Sequence, residues 1–447
     1  MRVHGEDFCA DLVLCLRRYT RRQRHHRCVH PADVSTSREL KEPDVDVQDA
    51  LIGHRIREVR RWRRLNLTVT AELAGMSAGY LSRLERGERT VNRRSILEAL
   101  AQALRVSPTD LTGQPYEPTD PVSSEAHAAL ARMEIVLGEL DLGTDPGVRA
   151  RPWAQIEKSV DHLNTVLRRD ADYAGQGQLV PGLLTELHAA YVQQPEHRGD
   201  ILVGLLHAYH SAAVLTKNLG VRGLPILAAR LAEGCARELG RPEWTAFASW
   251  LRSHAAGSLG RARQYEMSVR AVDAVVVRDA NAVQISGMLH LNAALAAAAQ
   301  QKADVVSTHL DEAAALAGRL PEGAENFGFL YFGSDNVGIW RVSLMTELGA
   351  GGKVAELARG VHPAALPARA RQCMYWTDLG RALITERATR DEGIRALRRA
   401  EEIAPQRVRN NPFVREAVSG LLRSSRSEAG RRELRGLAWR MGVAPTQ

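Results

Sequence analysis

The chain has 447 residues, 45% of them hydrophobic and 25% charged, a globular balance that at about 150 residues per domain allows two or three cores. Its five cysteines are too few and too scattered for a disulfide framework, and no stretch reads as the roughly 18 to 20 unbroken apolar residues of a membrane helix. The early apolar run from Phe8 to Leu16 is broken by Asp11 and followed, not preceded, by Arg17 and Arg18. That is the reverse of a secretory signal, so a cytoplasmic protein without a membrane partner is expected.

The net charge of +8 is unevenly spread. Residues 1–30 hold seven arginines against three acids, residues 31–49 two cations against six acids, and residues 50–113 twelve arginines against six acids. The rest of the chain is nearly neutral. Lysine occurs only five times, so the positive charge is almost all arginine. A compact basic segment on a neutral body is the electrostatic footprint of a nucleic-acid-binding module, although a solvated basic face has the same composition.

Local signals in 50–113 divide it into five helices. Asp49 is the expected cap of a first helix whose Ile52, Ile56 and Val59 share one face, with Arg60, Arg61, Arg63 and Arg64 at its negative end. Asn66 caps a short second helix from Leu67 to Ala74, and Gly75 supplies the left-handed exit. Met76 plugs the turn, and Ser77 caps a third helix from Ala78 to Arg86 that Gly87 closes. A fourth helix fits Arg93 to Leu104, and Ser107-Pro108 opens a very short fifth. Ala71, Gly75 and Leu81, with Leu84 continuing the face, have the small–turn–apolar spacing of a helix-turn-helix.

With Ala74-Gly75-Met76-Ser77, the run Leu81 to Arg89 and the stretch Leu97 to Leu104 before Val106-Ser107-Pro108, residues 50–113 resemble an XRE-type (Cro/repressor-like) helix-turn-helix domain. The resemblance implies that the third helix enters the major groove of double-stranded DNA, with Ala78, Gly79, Ser82 and Arg83 towards the bases and Ser77 and Tyr80 also in the DNA-binding set. Direct readout leans on Arg83, through a guanine edge, and on Ser82, while Arg86, Arg89, Arg93 and Arg94 contact the backbone. The segment departs from better-known repressors at Ala78 and Gly79, which lack hydrogen-bonding side chains, and at Leu67, where a phosphate-contacting Gln is common.

Residues 1–49 read as a disordered extension whose basic part could lie along DNA. Cys15, His25, His26, Cys28 and His30 lack the paired spacing of a zinc site, so no metal is expected. Three prolines make 114–122 a linker. Residues 123–447 read as helix after helix with no alternating strand pattern, which together with 50–113 predicts an all-α protein. The best repeat copy, Gly393, Ala400 and Pro405, resembles a tetratricopeptide (TPR) unit, and the layout is similar to a broad set of actinobacterial regulators.

One segment breaks the rhythm. Residues 326–336 hold Phe327, Phe329, Tyr331 and Phe332 among glycines and polar residues, and read as a loop. It could hold a small ligand or peptide through Phe329, Tyr331 and Phe332, oriented by Asp335, Asn336 or Arg341; the plainer and favoured reading is a core plug between repeats. His207 and His210 lack a third ligand, and there is no P-loop, GxSxG, HExxH or GxGxxG, so neither cofactor nor catalysis is expected. The sequence thus predicts a DNA-binding regulator, dimeric by its resemblance, whose array senses an unknown small-molecule, peptide or protein effector. The alternative is a TPR scaffold whose helix-turn-helix binds a protein such as a sigma or anti-sigma factor.

Overall fold

The computed structural model of the protein describes residues 51–117, 121–258, 260–424 and 428–443, and every regular element among them is helical. The extension 1–49, with Asp49 and the imagined zinc ligands, lies outside the described residues. Helices α1 (Ile52–Trp62), α2 (Leu67–Leu73), α3 (Ala78–Glu85), α4 (Arg94–Leu104) and α5 (Pro108–Thr112) open the fold. Their limits follow from local chemistry. Asn66 Oδ1 accepts from the Val69 N–H at 2.7 Å, and Ser77 Oγ accepts from the Tyr80 N–H at 3.2 Å. Ser107 and Asp110 form a capping box ahead of α5, with Pro108 at its first position. Gly75 and Gly87 adopt φ of +65° and +67°, the left-handed exits their positions require.

The start of α1 departs from expectation. Leu51 occupies the cap position with no side-chain bond, and a carboxylate from the far end of the chain replaces the local cap: Glu416 Oε2 accepts from the Ile52 N–H at 3.0 Å. The core beneath the five helices gathers Ile52, Ile56, Ala71, Leu81, Leu84, Leu97, Leu100 and Leu104, and also takes in Phe413.

The remaining chain is a solenoid-like array. It runs α6 (Pro121–Glu139), α7 (Trp153–His162), α8 (Tyr173–Gln193), α9 (Arg198–Asn218), α10 (Leu224–Leu239), α11 (Pro242–Ala255), α12 (Arg261–Ala274) and α13 (Ala280–Ala299). It continues with α14 (Ala303–Ala317), α15 (Ser334–Leu348), α16 (Gly352–Ala358), α17 (Arg369–Leu383), α18 (Arg390–Ile403), α19 (Pro405–Arg409), α20 (Pro412–Ser424) and α21 (Glu428–Arg440). Most consecutive helices pack side by side, with α6 packed on α8, and they share a long apolar core beside a smaller cluster of Ile339, Val342, Val354, Tyr375 and Leu383 between α15, α16 and α17. Where α17 crosses α18, a Cβ on Gly380 would lie 2.8 Å from Leu397 and one on Gly393 would lie 2.6 Å from Ile384, so the small residues set the approach.

The chain from 178 to 193 reads as a helix in sequence, but α8 already begins at Tyr173, because Asp172 caps it and Gly177 is pressed against Ala129, where a Cβ would stand 2.7 Å away. Apolar enough by length and composition to span a membrane, α13 corrects the view that no stretch qualifies; its residues are almost wholly buried in the array, the setting of a core helix.

Candidate nucleic-acid interface

The turn between α2 and α3 is built from close packing. Ala71 is buried, Met76 packs against the core, and the Met76 N–H donates to the Ala71 carbonyl at 2.9 Å. Gly53 lets α1 pass against α3, since a Cβ there would lie 1.9 Å from the Leu84 carbonyl oxygen. Arg60 clamps the same junction through two hydrogen bonds to Glu85, at 2.6 and 2.8 Å. Direct bonding to the carboxylate raises the Arg60 pKa against an opposing effect of burial. This pair spends Arg60 on internal structure, not on a partner.

The outward face of α3 is open. Ser77, Gly79 and Arg83 are exposed, Ala78 and Ser82 half-buried, and nothing lies within 4 Å of a Cβ placed on Gly79. Arg83 and Arg89 are exposed and form no ion pair among the described residues. Arg86 is exposed but engaged: its guanidinium donates to Glu88 at 2.6 Å and to Ser82 Oγ. The bond to Glu88 raises the Arg86 pKa and lowers that of Glu88, and a pair so exposed is a weak restraint. Exposed Arg57, Arg61 and Arg64 on and after α1 extend the basic surface. Tyr80 is half-buried against the core and lines a cleft of about 870 Å³ shared with the array.

Two residues expected at the DNA backbone are placed elsewhere. Arg94 donates from both its backbone N–H, at 2.9 Å, and its guanidinium to Glu347, a carboxylate buried in α15. Burial would raise the Glu347 pKa, but Arg94 and Arg381 outweigh it and bring it down to about 2. Arg93 reaches the array as well, donating to Gln301 at 3.3 Å. In this arrangement Arg93 and Arg94 hold the helix-turn-helix unit on the array, whereas Arg83, Arg86 and Arg89 stay on its exposed face.

More bonds fasten the unit. Arg261 donates to Glu98 at 2.6 Å, Arg222 pairs with Asp110, and Arg423 donates to the Gly87 carbonyl at 2.7 Å. Glu416 accepts from the Val91 N–H at 3.3 Å in addition to Ile52, and Phe413 lies beneath Arg381 and Arg94 at 4.7 and 5.4 Å. Sequence reasoning missed these docking carboxylates because nothing local marks them: their partners lie 112 to 364 positions away.

The aromatic segment is split by the structure. Residues 327–329 form a single 3-10 turn and Ser334 already opens α15, so Asp335 and Asn336 belong to a helix instead of a loop. Phe332 packs on α13, where Gly287 has no room for a side chain, and Asn336 is fully buried, donating to the Tyr331 carbonyl at 2.8 Å. Asp335 is exposed, and Arg341 meets Asp311 at 3.7 Å on the outer surface. Only Phe329 and Tyr331 of the six candidates line the cavity of about 240 Å³ at the centre of the array.

Residues 51–112 match the family model of a helix-turn-helix domain. No curated protein and no solved structure matches the chain.

Proposed function

We propose that the protein is a cytoplasmic, non-catalytic transcriptional regulator that binds operator DNA through α3 in the manner of XRE-type domains. The observation that carries this reading is the uncovered outer face of α3, with Ser77, Gly79 and Arg83 exposed, on a helix-turn-helix unit that the array holds from the side of Val91 and Arg94. Small Ala78 and Gly79 let the helix approach the groove floor, where a methyl contact with thymine needs no hydrogen-bonding side chain. Two such chains, reading half-sites about one helical turn apart (roughly 34–36 Å), are the usual arrangement for this motif. The TPR-like array then senses an effector and supports self-association.

DNA selection from a genomic fragment library, followed by isotherms at several salt concentrations, tests the reading. A paired motif bound at least about a thousandfold more tightly than random DNA is the expected result. Uniform, salt-governed binding to every fragment would refute it.

A second reading keeps the helix-turn-helix as a protein-binding module. Val69 and Leu73, one turn apart on α2, are both exposed, an apolar pair that a partner helix could cover. A stable protein partner lost on Leu73→Glu, together with no DNA preference, would favour it.

A further inference from the structure

The central cavity, about 240 Å³, is larger than the roughly 150 Å³ sites that hold benzene in engineered cores. Among the described residues six cationic side chains line it, Arg94, Arg168, Lys217, Arg261, Arg371 and Arg407, against one carboxylate, Asp378. Asp378 is already bound by Arg381 at 2.7 Å, while Arg94 and Arg261 hold Glu347 and Glu98. Among the described residues the other four hydrogen-bond only to neutral groups, with Arg407 also within the field of Asp378. Arg168 donates to His210 Nδ1 at 2.6 Å, to His207 Nδ1 and the Gly328 carbonyl at 3.3 Å, and to Asn164. Lys217 donates to the carbonyl and Nε2 of His254 at 2.8 and 3.0 Å. Arg371 lies over Trp340 at 5.5 Å and near the Met374 sulfur, and Arg407 meets only the Tyr173 hydroxyl at 3.4 Å.

Cations gathered in a protein interior without counter-charge are strongly unfavourable. Burial, reinforced for Arg371 by neighbouring Arg407, lowers Arg168 and Arg371 to about 10, and pushes Lys217 well below its ordinary value. The backbone around the cavity is unusual too. The helix holding Arg168 widens into a π-helical turn, Leu163–Arg168, a distortion frequent at functional sites. Ala171, Phe329 and Tyr331, all lining the cavity, hold left-handed φ of +55°, a conformation that non-glycine residues keep only where their surroundings impose it. The Trp340 indole N–H, also in the lining, has no hydrogen-bond partner among the described residues.

We propose that this cavity is the binding site for a small, multiply charged phosphorylated metabolite, whose phosphoryl oxygens take the guanidinium and ammonium groups of Arg168, Lys217, Arg371 and Arg407. Guanidinium forks match phosphoryl oxygens in geometry, and the number of unpaired cations calls for more than one negative charge. Trp250, Trp340 and Tyr331 offer the remainder of the ligand an aromatic wall. Arg94 and Arg261 extend the lining to the helix-turn-helix unit, so an anion here draws the two guanidiniums from Glu347 and Glu98 and loosens its docking. This second step supplies the effector control invoked in the proposed function, whereas the anion site itself does not depend on DNA binding.

Thermal unfolding and calorimetric titration of the full chain, with pyrophosphate, ADP, citrate, adenosine and chloride at matched ionic strength, test the site. Pyrophosphate and ADP should raise Tm by several degrees, with adenosine and chloride inert. Arg168→Gln/Arg371→Gln should weaken both anions about tenfold or more. Because fewer uncompensated charges are buried, its ligand-free Tm should not fall. Arg83→Gln/Arg89→Gln, on the outer basic face, should leave the anion affinity unchanged. A Tm rise that survives in the first variant and vanishes in the second would place the anion on the outer surface and overturn the proposal. So would stabilisation by citrate alone, or by none of the anions. Amide exchange at Ile52 and Val91 reads the coupling without DNA: faster exchange with ADP supports it, and unchanged exchange despite binding removes it while leaving the site.

Discussion

At the scale of single residues, arginines of one segment divide into three jobs. Arg60 bonds Glu85 inside the helix-turn-helix, Arg94 bonds Glu347 in the array, and Arg83 is exposed on the outer face of α3. Alanine substitution should separate them. Arg83→Ala should lose roughly 1–3 kcal/mol on the specific site and relax its base preference with Tm unchanged. Arg94→Ala leaves Glu347 with one of its two guanidiniums, which should cost about 3 kcal/mol of stability and leave the salt slope of DNA binding intact. Binding isotherms over salt and a thermal melt of each variant decide the matter. An unchanged Tm for Arg94→Ala would refute the docking role. Residue type alone could not have told these arginines apart, because each of them is a basic residue in a basic segment and only the tertiary partner differs.

At the scale of elements, the limits of α1 to α5 were legible to within a residue or two, since Asn66, Ser77, Ser107, Gly75 and Gly87 act within one turn of their own position. Elements whose limits depend on packing were not. In α8, Gly175, Gly177 and Pro181 look like breakers, yet the glycines fill tight contacts with Leu167 and Ala129. The cavity left no trace in sequence, because Arg168, Lys217, Arg371 and Arg407 come from four different parts of the chain. Two glycines test the element-level account. Gly53→Ala drives a methyl into the Leu84 carbonyl and should destabilise by about 1–3 kcal/mol, measured by chemical denaturation. Gly79→Ala meets open space in an exposed helix and should stabilise by up to about 1 kcal/mol. Equal effects of the two would contradict the crossing of α1 and α3.

At the scale of the whole molecule, the helix-turn-helix and the array behave as one docked body whose fastening responds to pH. Burial raises the Glu416 carboxyl to about 7, against the pull of the Ile52 and Val91 N–H groups and of Arg423 and Arg55. When undocked it would return towards 4.5, so docking takes up a proton between these values. Its contribution is fully present below about 4.5 and is lost as pH rises through about 7, at most about 3 kcal/mol in all. His207, His210 and His254, held down by burial, work in the opposite sense below their ordinary value of 6.5. Lys217, also held down by burial, opposes Glu416 between pH 6.5 and 8, so the share of Glu416 is a difference in slope: Glu416→Gln should make the change of Tm with pH more positive than in the native protein. A slope equal in both would remove that share.

The same carboxylate also sets an order in time. Glu416 is made 364 residues after Ile52 and 325 after Val91, the two backbone groups it binds. At about 5–20 residues per second, a growing chain carries its complete helix-turn-helix segment for roughly 15 to 60 seconds before the clasp exists. Pairing over such a separation is also the slowest kind of contact to close. Newly made protein thus passes through a stage in which the basic segment of α3 is already made while the array that will fasten it is still being built.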